Sequence, residues 1–472
     1  MMKSILFVGS EISPFAATGG LGDVLGSLPE AIKAENENID VRAVMPLYSK
    51  ISGDWREKMT FIRWITVRVA WRQEYCGIYS LEKGGVTYYF LDNEKYFSRN
   101  TLYGEFDDGE RFAFFSFAAL DLMDAVGFYP DVLHANDWQS AASVIKLKSA
   151  YKNDDRYKNI KAVYTIHNMD YQGVFDMDIY DDVFGFMWEI RNNLEFDWSI
   201  NLSKGAIELC DKVTTVSPKY AEEILDEPSA HGLSSIMRAN SYKLCGIING
   251  IDYKVYDPET DAEIPSRFGS DDLSGKAACK AELLRRFGLE NTDAPIIAMI
   301  SRLAEHKGFD LVTYIADRMM CDDVRFILLG TGEKKYEDFF RGFAVRNRGR
   351  AGISISFDRK LSKLIYAGAD MFLMPSAREA CGLAQMMASR YGTVPIVRET
   401  GGLYDTIKPY GAGGNGFTFA SYNADDMLYV IREAEAIYAD GEKWNALVKK
   451  IMKIDFSWGA SAKKYIEMYC SL

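Results

Sequence analysis

Residues 5–32 read "ILFVGSEISPFAATGGLGDVLGSLPEAI". A short apolar run of strand length gives way to a turn-rich loop with Gly19, Gly20 and Gly22, and the loop enters an amphipathic helical pattern. Strand, glycine loop and helix in that order are the opening unit of an α/β sheet. Glycine permits close backbone approach and a helix N-terminus carries partial positive charge, so such a loop presents N–H groups to an anion. The loop holds an acid, Asp23, and no lysine.

The same rhythm continues outward from this stretch. "VTYYFL" (86–91), "DVLHAND" (131–137), "AVYTIHN" (162–168) and "KVTTVS" (212–217) are apolar runs separated by helical patterns, which predicts a parallel sheet covered by helices. A charged, turn-rich segment at 256–289, broken by Pro258 and Pro265, then separates this half from a second one, with the boundary expected near Asn249–Asp252. After it the rhythm restarts with "PIIAMISRL" (295–303), "VRFILLGTGE" (324–333), "AGISISF" (351–357), "MFLMP" (371–375) and "TVPIVRE" (393–399). The expectation is an α/β protein of two doubly wound, Rossmann-like domains. In such sheets ligands bind beyond the carboxyl ends of the strands, so functional residues should come from loops of both halves.

Composition narrows the partners. The 472 residues are 48% apolar, enough for two large domains, and carry a net charge of −12, which argues against nucleic acid or an anionic membrane surface. No apolar run reaches membrane-spanning length, and the opening residues meet Glu11 too soon for a secretory leader. The seven cysteines are scattered without a CxxC pair and suit a reducing, cytoplasmic setting. The four histidines are too dispersed to read as a metal site.

The loops after the runs carry the chemistry. "ISRLAEHKG" (300–308) puts Arg302 and Lys307 after a buried strand, where two cations suit a diphosphate; a solvated loop reads the same way. "LLGTGE" (328–333) places Gly330 and Gly332 at a tight strand exit. In "MPSAREACGLAQ" (374–385) Glu379 faces sugar or ribose hydroxyls well, or else serves as a helix N-cap acid. In the first half His167 and Asn168 follow a strand, "HANDWQ" (134–139) offers His134, Asn136, Asp137 and Trp138, and Asn249 and Asp252 stand at the domain junction. Both the GxxxxGK[ST] phosphate loop and the dinucleotide GxGxxG fingerprint are missing, which disfavours a nucleotide triphosphatase or a dehydrogenase. What remains is a two-domain enzyme handling a diphosphate donor and a neutral polyol.

Taken together, "GGLGDV" (19–24), "HANDWQ", "HNMDYQG" (167–173), "TTVSPKYAEEI" (214–224), "IINGID" (247–252), "SRLAEHKG", "LGTGE", "ACGLAQ" (380–385), "YGTVPIVRETGGLYDTI" (391–407) and "DFSWGASAKKYIEMY" (455–469) resemble the bacterial glycogen synthases and plant starch synthases along essentially the whole chain. The resemblance implies two Rossmann-like domains facing a deep cleft, the GT-B arrangement, with the last helix crossing back to the first domain. The implied divisions are an acceptor domain at 1–248, a donor domain at 249–454 and the returning helix at 455–472. It implies retaining transfer of glucose from ADP-glucose, or UDP-glucose, to the non-reducing end of an α-1,4-glucan, with no cofactor and no metal. A homo-oligomer is compatible with it.

Carried over by motif, Arg302 and Lys307 would neutralise the donor diphosphate, Glu379 would bind glucose hydroxyls, His167 would sit beside the transferred glucose, and Asp137 would orient sugar or acceptor. Thr18, Gly19, Gly20, Asn249, Gly332, Tyr366, Cys381, Gly382 and Leu383 would line the donor. The chain departs from the family pattern at three places. Ala17 stands where a lysine is usual, Ala380 replaces a proline, and Ala230-His231-Gly232 replaces a glycine-tyrosine-glycine segment. The missing lysine leaves a second reading open, that of a weakened or inactive paralogue acting as a glucan-binding or regulatory protein.

Overall fold

The structure, a computed structural model, describes residues 4–472 except Pro228 and Ala412. Contacts divide the chain into two compact units. The first runs to Gly250 and takes in Trp458–Leu472, while the second is Ile251–Ser457. The divisions therefore fall at 250/251 and 457/458 rather than at 248/249 and 454/455.

The first unit is built on a sheet of strands β1 (Ser4–Val8), β2 (Asp40–Pro46), β3 (Thr60–Val69), β4 (Arg72–Lys83), β5 (Val86–Asp92), β6 (Val132–Asn136) and β7 (Lys161–Ile166). Three short strands, β8 (Val174–Asp176), β9 (Glu195–Phe196) and β10 (Ser199–Asn201), form a small separate antiparallel sheet. Strands β11 (Lys212–Thr215) and β12 (Leu244–Gly246) complete the main one, in the order β12-β11-β7-β6-β1-β2-β5-β4-β3. From β12 to β5 every pairing is parallel. Ile5, Leu6, Phe7 and Val8 of β1 are fully buried, as a strand covered on both faces requires.

The outermost pairings, β5 with β4 and β4 with β3, are antiparallel, an edge ribbon added to the expected parallel sheet. Their sequence alternates instead of running apolar. Val67, Val69, Cys76 and Ile78 are buried, whereas Trp64, Arg68 and Tyr75 between them face out.

The second unit contains β13 (Ile296–Ile300), β14 (Arg325–Leu329), β15 (Ala351–Ser354), β16 (Met371–Met374), β17 (Val394–Arg398) and β18 (Phe417–Phe419), all parallel, in the order β15-β14-β13-β16-β17-β18. Numbered within the unit this is the 3-2-1-4-5-6 order of a doubly wound dinucleotide-binding sheet. The short strand β18 lies beyond the runs that the sequence marks out.

The helix Trp458–Cys470 belongs to the first unit and packs beside the helix Gly20–Glu35. It is fastened there by polar contacts as well. Tyr469 Oη lies 2.6 Å from Nδ1 of the buried His134, Ser461 Oγ donates to Ile248 O at 2.6 Å, and Lys463 pairs with Glu35 at 3.5 Å. His134 is thereby accounted for structurally.

Candidate active site

In the second unit, β13 and β16 are neighbours although distant in sequence, so the chain reverses its winding between them. Loops leaving their carboxyl ends diverge there and open a crevice, the usual ligand position in such a sheet. The loop after β13 carries Arg302 and Lys307, and the loop after β16 carries Glu379. Lys307 Nζ donates to both carboxylate oxygens of Glu379, at 2.9 and 2.7 Å, and Ser376 Oγ donates to Oε2 at 3.0 Å. Glu379 is not an N-cap, since the following helix is Ala384–Arg390 with Leu383 at its cap position. Arg302 is exposed, and its guanidinium has no hydrogen-bond or ion-pair partner among the described residues, which leaves it available to an anion.

These loops are pinned to one another through their backbones. Ala377 N–H donates to His306 O at 2.9 Å, Glu333 N–H to Leu303 O at 2.7 Å, and Gly402 N–H to Glu379 O at 3.2 Å. Arg398, at the end of β17, donates through Nη1 to the carbonyls of Ser376 at 3.3 Å and Ala377 at 2.8 Å. At Gly332 a Cβ would stand 2.1 Å from Leu303 O, and at Gly401 one would stand 1.8 Å from Glu379 O. Only glycine allows these approaches.

The other donor-side candidates are less uniform. Gly382, at φ 70°, turns the chain just ahead of the helix, and Cys381 is buried with its carbonyl accepting from Gln385 Nε2 at 3.1 Å. Tyr366 is not brought to the loops. It lies in the helix Arg359–Gly368, 4% exposed, with its ring packed against Phe372 and Tyr391 because that helix turns its apolar face to the sheet. Asn249 falls in the first unit, buried, its Oδ1 without a hydrogen-bond partner among the described residues.

The first unit repeats the design at β1 and β6, which are also adjacent with loops diverging from their carboxyl ends. Asp137 follows β6 with φ 55° and ψ 177°, a conformation costly for any residue but glycine. Its Oδ1 accepts the His167 N–H at 2.7 Å, and the Asn168 N–H adds a second bond. Burial nevertheless pushes the carboxyl up to about 7, because the donated N–H groups offset only part of the desolvation.

His167 is held down to about 3 by burial and is therefore neutral at physiological pH. Its Nε2 lies 3.0 Å from Asn136 Oδ1, while Asn136 Nδ2 donates to the carbonyls of His134 at 3.0 Å and Val8 at 3.3 Å. With the amide oriented by those carbonyls, Nε2 carries the proton and Nδ1 is left as an acceptor.

The glycine loop at 17–20 answers the question of its anion in an unexpected way. Glu11, 3% exposed, accepts from both the backbone N–H and the hydroxyl of Thr18, the latter at 3.0 Å. The N–H of Gly19 also bonds to it. The loop's own N–H groups are thus occupied by an internal carboxylate, whose pKa burial raises against the pull of those bonds. No atom lies within 4 Å of a Cβ placed on Gly19 or Gly20, so their outer side is open, and Ala17 is exposed. Glu11, Ser376 and Arg398 escaped the sequence reading. A buried acid close before a glycine loop was the available signal for the first, whereas the other two act through contacts only the fold reveals. Among the described residues no cluster of His, Cys, Asp and Glu could hold a metal ion.

Residues 4–239 match the starch synthase catalytic domain family, and residues 280–452 match the glycosyl transferases group 1 family. The chain is 45% identical to a glycogen synthase of Clostridium beijerinckii, covering 99% of each, and 44% identical to one of Bacillus cereus over the same shares. Among solved structures it is similar to the catalytic domain of starch synthase IV from Arabidopsis thaliana bound to ADP and acarbose. That likeness has a TM-score of 0.91 and 32% identity, covering 100% of this chain and 99% of the other. A sucrose-phosphate synthase from Thermosynechococcus elongatus, at 16% identity and TM-score 0.62 over 99% of this chain and 98% of its own, shares the fold. With its two doubly wound units and full-length likeness, the chain belongs to the glycogen and starch synthase family of GT-B glycosyltransferases.

Proposed function

We propose that this glycosyltransferase moves glucose from ADP-glucose to the non-reducing end of an α-1,4-glucan. The observation that carries the reading is the Lys307–Glu379 pair together with the Arg302 guanidinium, which has no partner among the described residues, at the winding reversal of the second unit. Breaking the bond between glucose and the donor phosphate builds negative charge on the leaving oxygen, and cations fixed in advance stabilise that charge more than the ground state. Arg302 and Lys307 supply them. Glu379, held in place by Lys307 and Ser376, accepts hydrogen bonds from sugar hydroxyls.

In the first unit, Nδ1 of neutral His167 accepts from a hydroxyl of the transferred glucose, and Asp137 fixes the peptide that carries His167. Gly19 and Gly20 let a phosphate or sugar approach the loop closely. The starch synthase holding ADP supports adenine as the donor base. All seven cysteines are free, in keeping with a reducing cytoplasm.

The test is glucose incorporation into glycogen by the purified chain, with ADP-glucose and UDP-glucose supplied separately and Glu379→Ala as the blank. Incorporation from ADP-glucose alone is expected. Incorporation only from UDP-glucose overturns the donor assignment. No incorporation from either donor, with glycogen still bound, assigns the chain to a non-catalytic glucan-binding role, for which the exposed Ala17 in place of lysine is the specific warrant.

A further inference from the structure

The first unit holds a cavity of about 410 Å³, a volume typical of small-molecule pockets, that none of the candidate catalytic residues lines. Four pieces of chain enclose it. They are the turn between β3 and β4 at Ala70 and Trp71, the helices Asp108–Val126 and Trp138–Ser149, and the π-helical turn Tyr180–Phe184 with the residues that follow. These pieces meet closely, since a Cβ on Gly185 would stand 3.1 Å from the Cα of Ala70. Glycine at that position, with φ 55°, lets the hairpin turn seat against the π-helical one.

Two cations, Lys146 and Arg68, line this space, and neither forms an ion pair with a described residue. Lys146 is half-buried, with Nζ 3.9 Å from the centroid of the Phe117 ring and no hydrogen bond to a described residue. An ammonium withdrawn from water ordinarily finds acceptors for its protons. Burial lowers the pKa of this one and the charge of Arg68 lowers it further, against the attraction of Asp121. Arg68 is exposed and donates through Nε to Ala70 O at 2.8 Å, while its two Nη groups have no partner among the described residues.

Most of the remaining wall is apolar. Phe117, Phe184 and Phe186 are buried in it, the last two stacked at 5.4 Å. Trp71 is 69% exposed, yet its ring is fixed in place. The indole N–H donates to Asp182 Oδ1 at 2.7 Å, and the Arg72 guanidinium lies 4.4 Å from the ring centroid. The exposed Asp181 adds one carboxylate to the lining.

Charge and shape together select the occupant. Two cations match a phosphate dianion, and a fixed indole matches the flat face of a nucleobase, which stacks on aromatic side chains whatever its hydrogen-bonding edge. Asp181 supplies an acceptor for ribose hydroxyls. Inorganic phosphate would leave most of the volume unfilled. A sugar phosphate would set its hydroxyls against rings that offer them no acceptor.

We propose that this cavity binds a nucleoside 5′-monophosphate, with the phosphate between Lys146 and Arg68 and the base against Trp71. The site belongs wholly to the first unit, whereas the cations assigned to the sugar donor belong to the second. It goes beyond the transfer reaction and does not depend on that reading.

The experiment titrates the full-length chain with 5′-AMP by calorimetry. The expected result is one site that survives Arg302→Ala, a change that weakens nucleotide held at the second unit. Lys146→Gln and Arg68→Gln should each raise the Kd of that site on the order of 10-fold, the loss of one hydrogen-bonded charge. Trp71→Leu should weaken AMP and leave the affinity for inorganic phosphate unchanged, because only the base uses the ring. Arg68 and Trp71 are both exposed, so their variants decide the matter if Lys146→Gln fails to fold. Absence of AMP binding overturns the proposal. Binding lost in Arg302→Ala and indifferent to Lys146→Gln also overturns it, by assigning the nucleotide to the catalytic site alone. Tighter binding of a hexose phosphate or of maltotetraose, sensitive to Lys146→Gln, would remove the nucleotide as occupant.

Discussion

Asp137 pays a backbone cost of about 1–3 kcal/mol for its positive φ, and it keeps a carboxyl pushed up to about 7 in a place where an amide would fit the same N–H donors. Between the unfolded value near 4 and the folded value near 7, the native chain binds one more proton than the unfolded chain, so rising pH removes stability across that window. Asp137→Asn carries no such penalty. Its melting temperature should match the parent near pH 4 and exceed it by an amount that grows up to about pH 7 and then levels. The gain at pH 8 is on the order of 2 kcal/mol, discounted for the partial openness of the site. Thermal melts across pH 4–8 check this, and parallel curves would show that Asp137 is ionised throughout. The sequence displayed Asp137 and His167 as separate candidates at two strand ends. Their bond, and the tautomer that Asn136 imposes on His167, depend on β6 and β7 lying side by side, which no local pattern encodes.

At the scale of elements, the strand–loop–helix rhythm was legible because parallel strands buried on both faces leave continuous apolar runs. The β3–β4 ribbon was not, since some of its outward positions carry aromatic residues such as Trp64 and Tyr75, which blurs the apolar–polar alternation of a one-sided ribbon. Loop-to-loop fastening was equally hidden. Gly401 illustrates it: the glycine opens the helix Gly401–Thr406 after β17, and the carbonyl it makes room for belongs to Glu379 in the loop after β16. Gly401→Ala should push that peptide aside and misplace the carboxylate, lowering kcat/KM on the order of 100-fold. Far-ultraviolet circular dichroism should remain native, because the helices and strands do not depend on this contact. Retained activity would mean that the loop yields without moving Glu379.

At the scale of the whole molecule, the two units differ in how their chains close. The second is continuous, and its two ends are tied together, with Ile251 N–H donating to Phe456 O at 2.8 Å and Phe456 N–H to Tyr253 Oη at 2.9 Å. It holds Arg302, Lys307 and Glu379 together. Residues 251–457 expressed alone should therefore fold and be stabilised against heat by ADP, whereas residues 1–250 alone should be unstable until 458–472 is restored. Soluble, cooperatively melting 1–250 would refute this. That the last helix crosses back was readable only through family resemblance, because "DFSWGASAKKYIEMY" carries a helical pattern but no address. The crossing also has a consequence for biosynthesis. A ribosome delivers the N-terminal half first, yet the apolar side of the helix Gly20–Glu35 and the ring of His134 wait for Trp458–Cys470, among the last residues to emerge. The half made first is the half finished last, so a premature stop at residue 458 leaves the second unit translated whole and the first one incomplete.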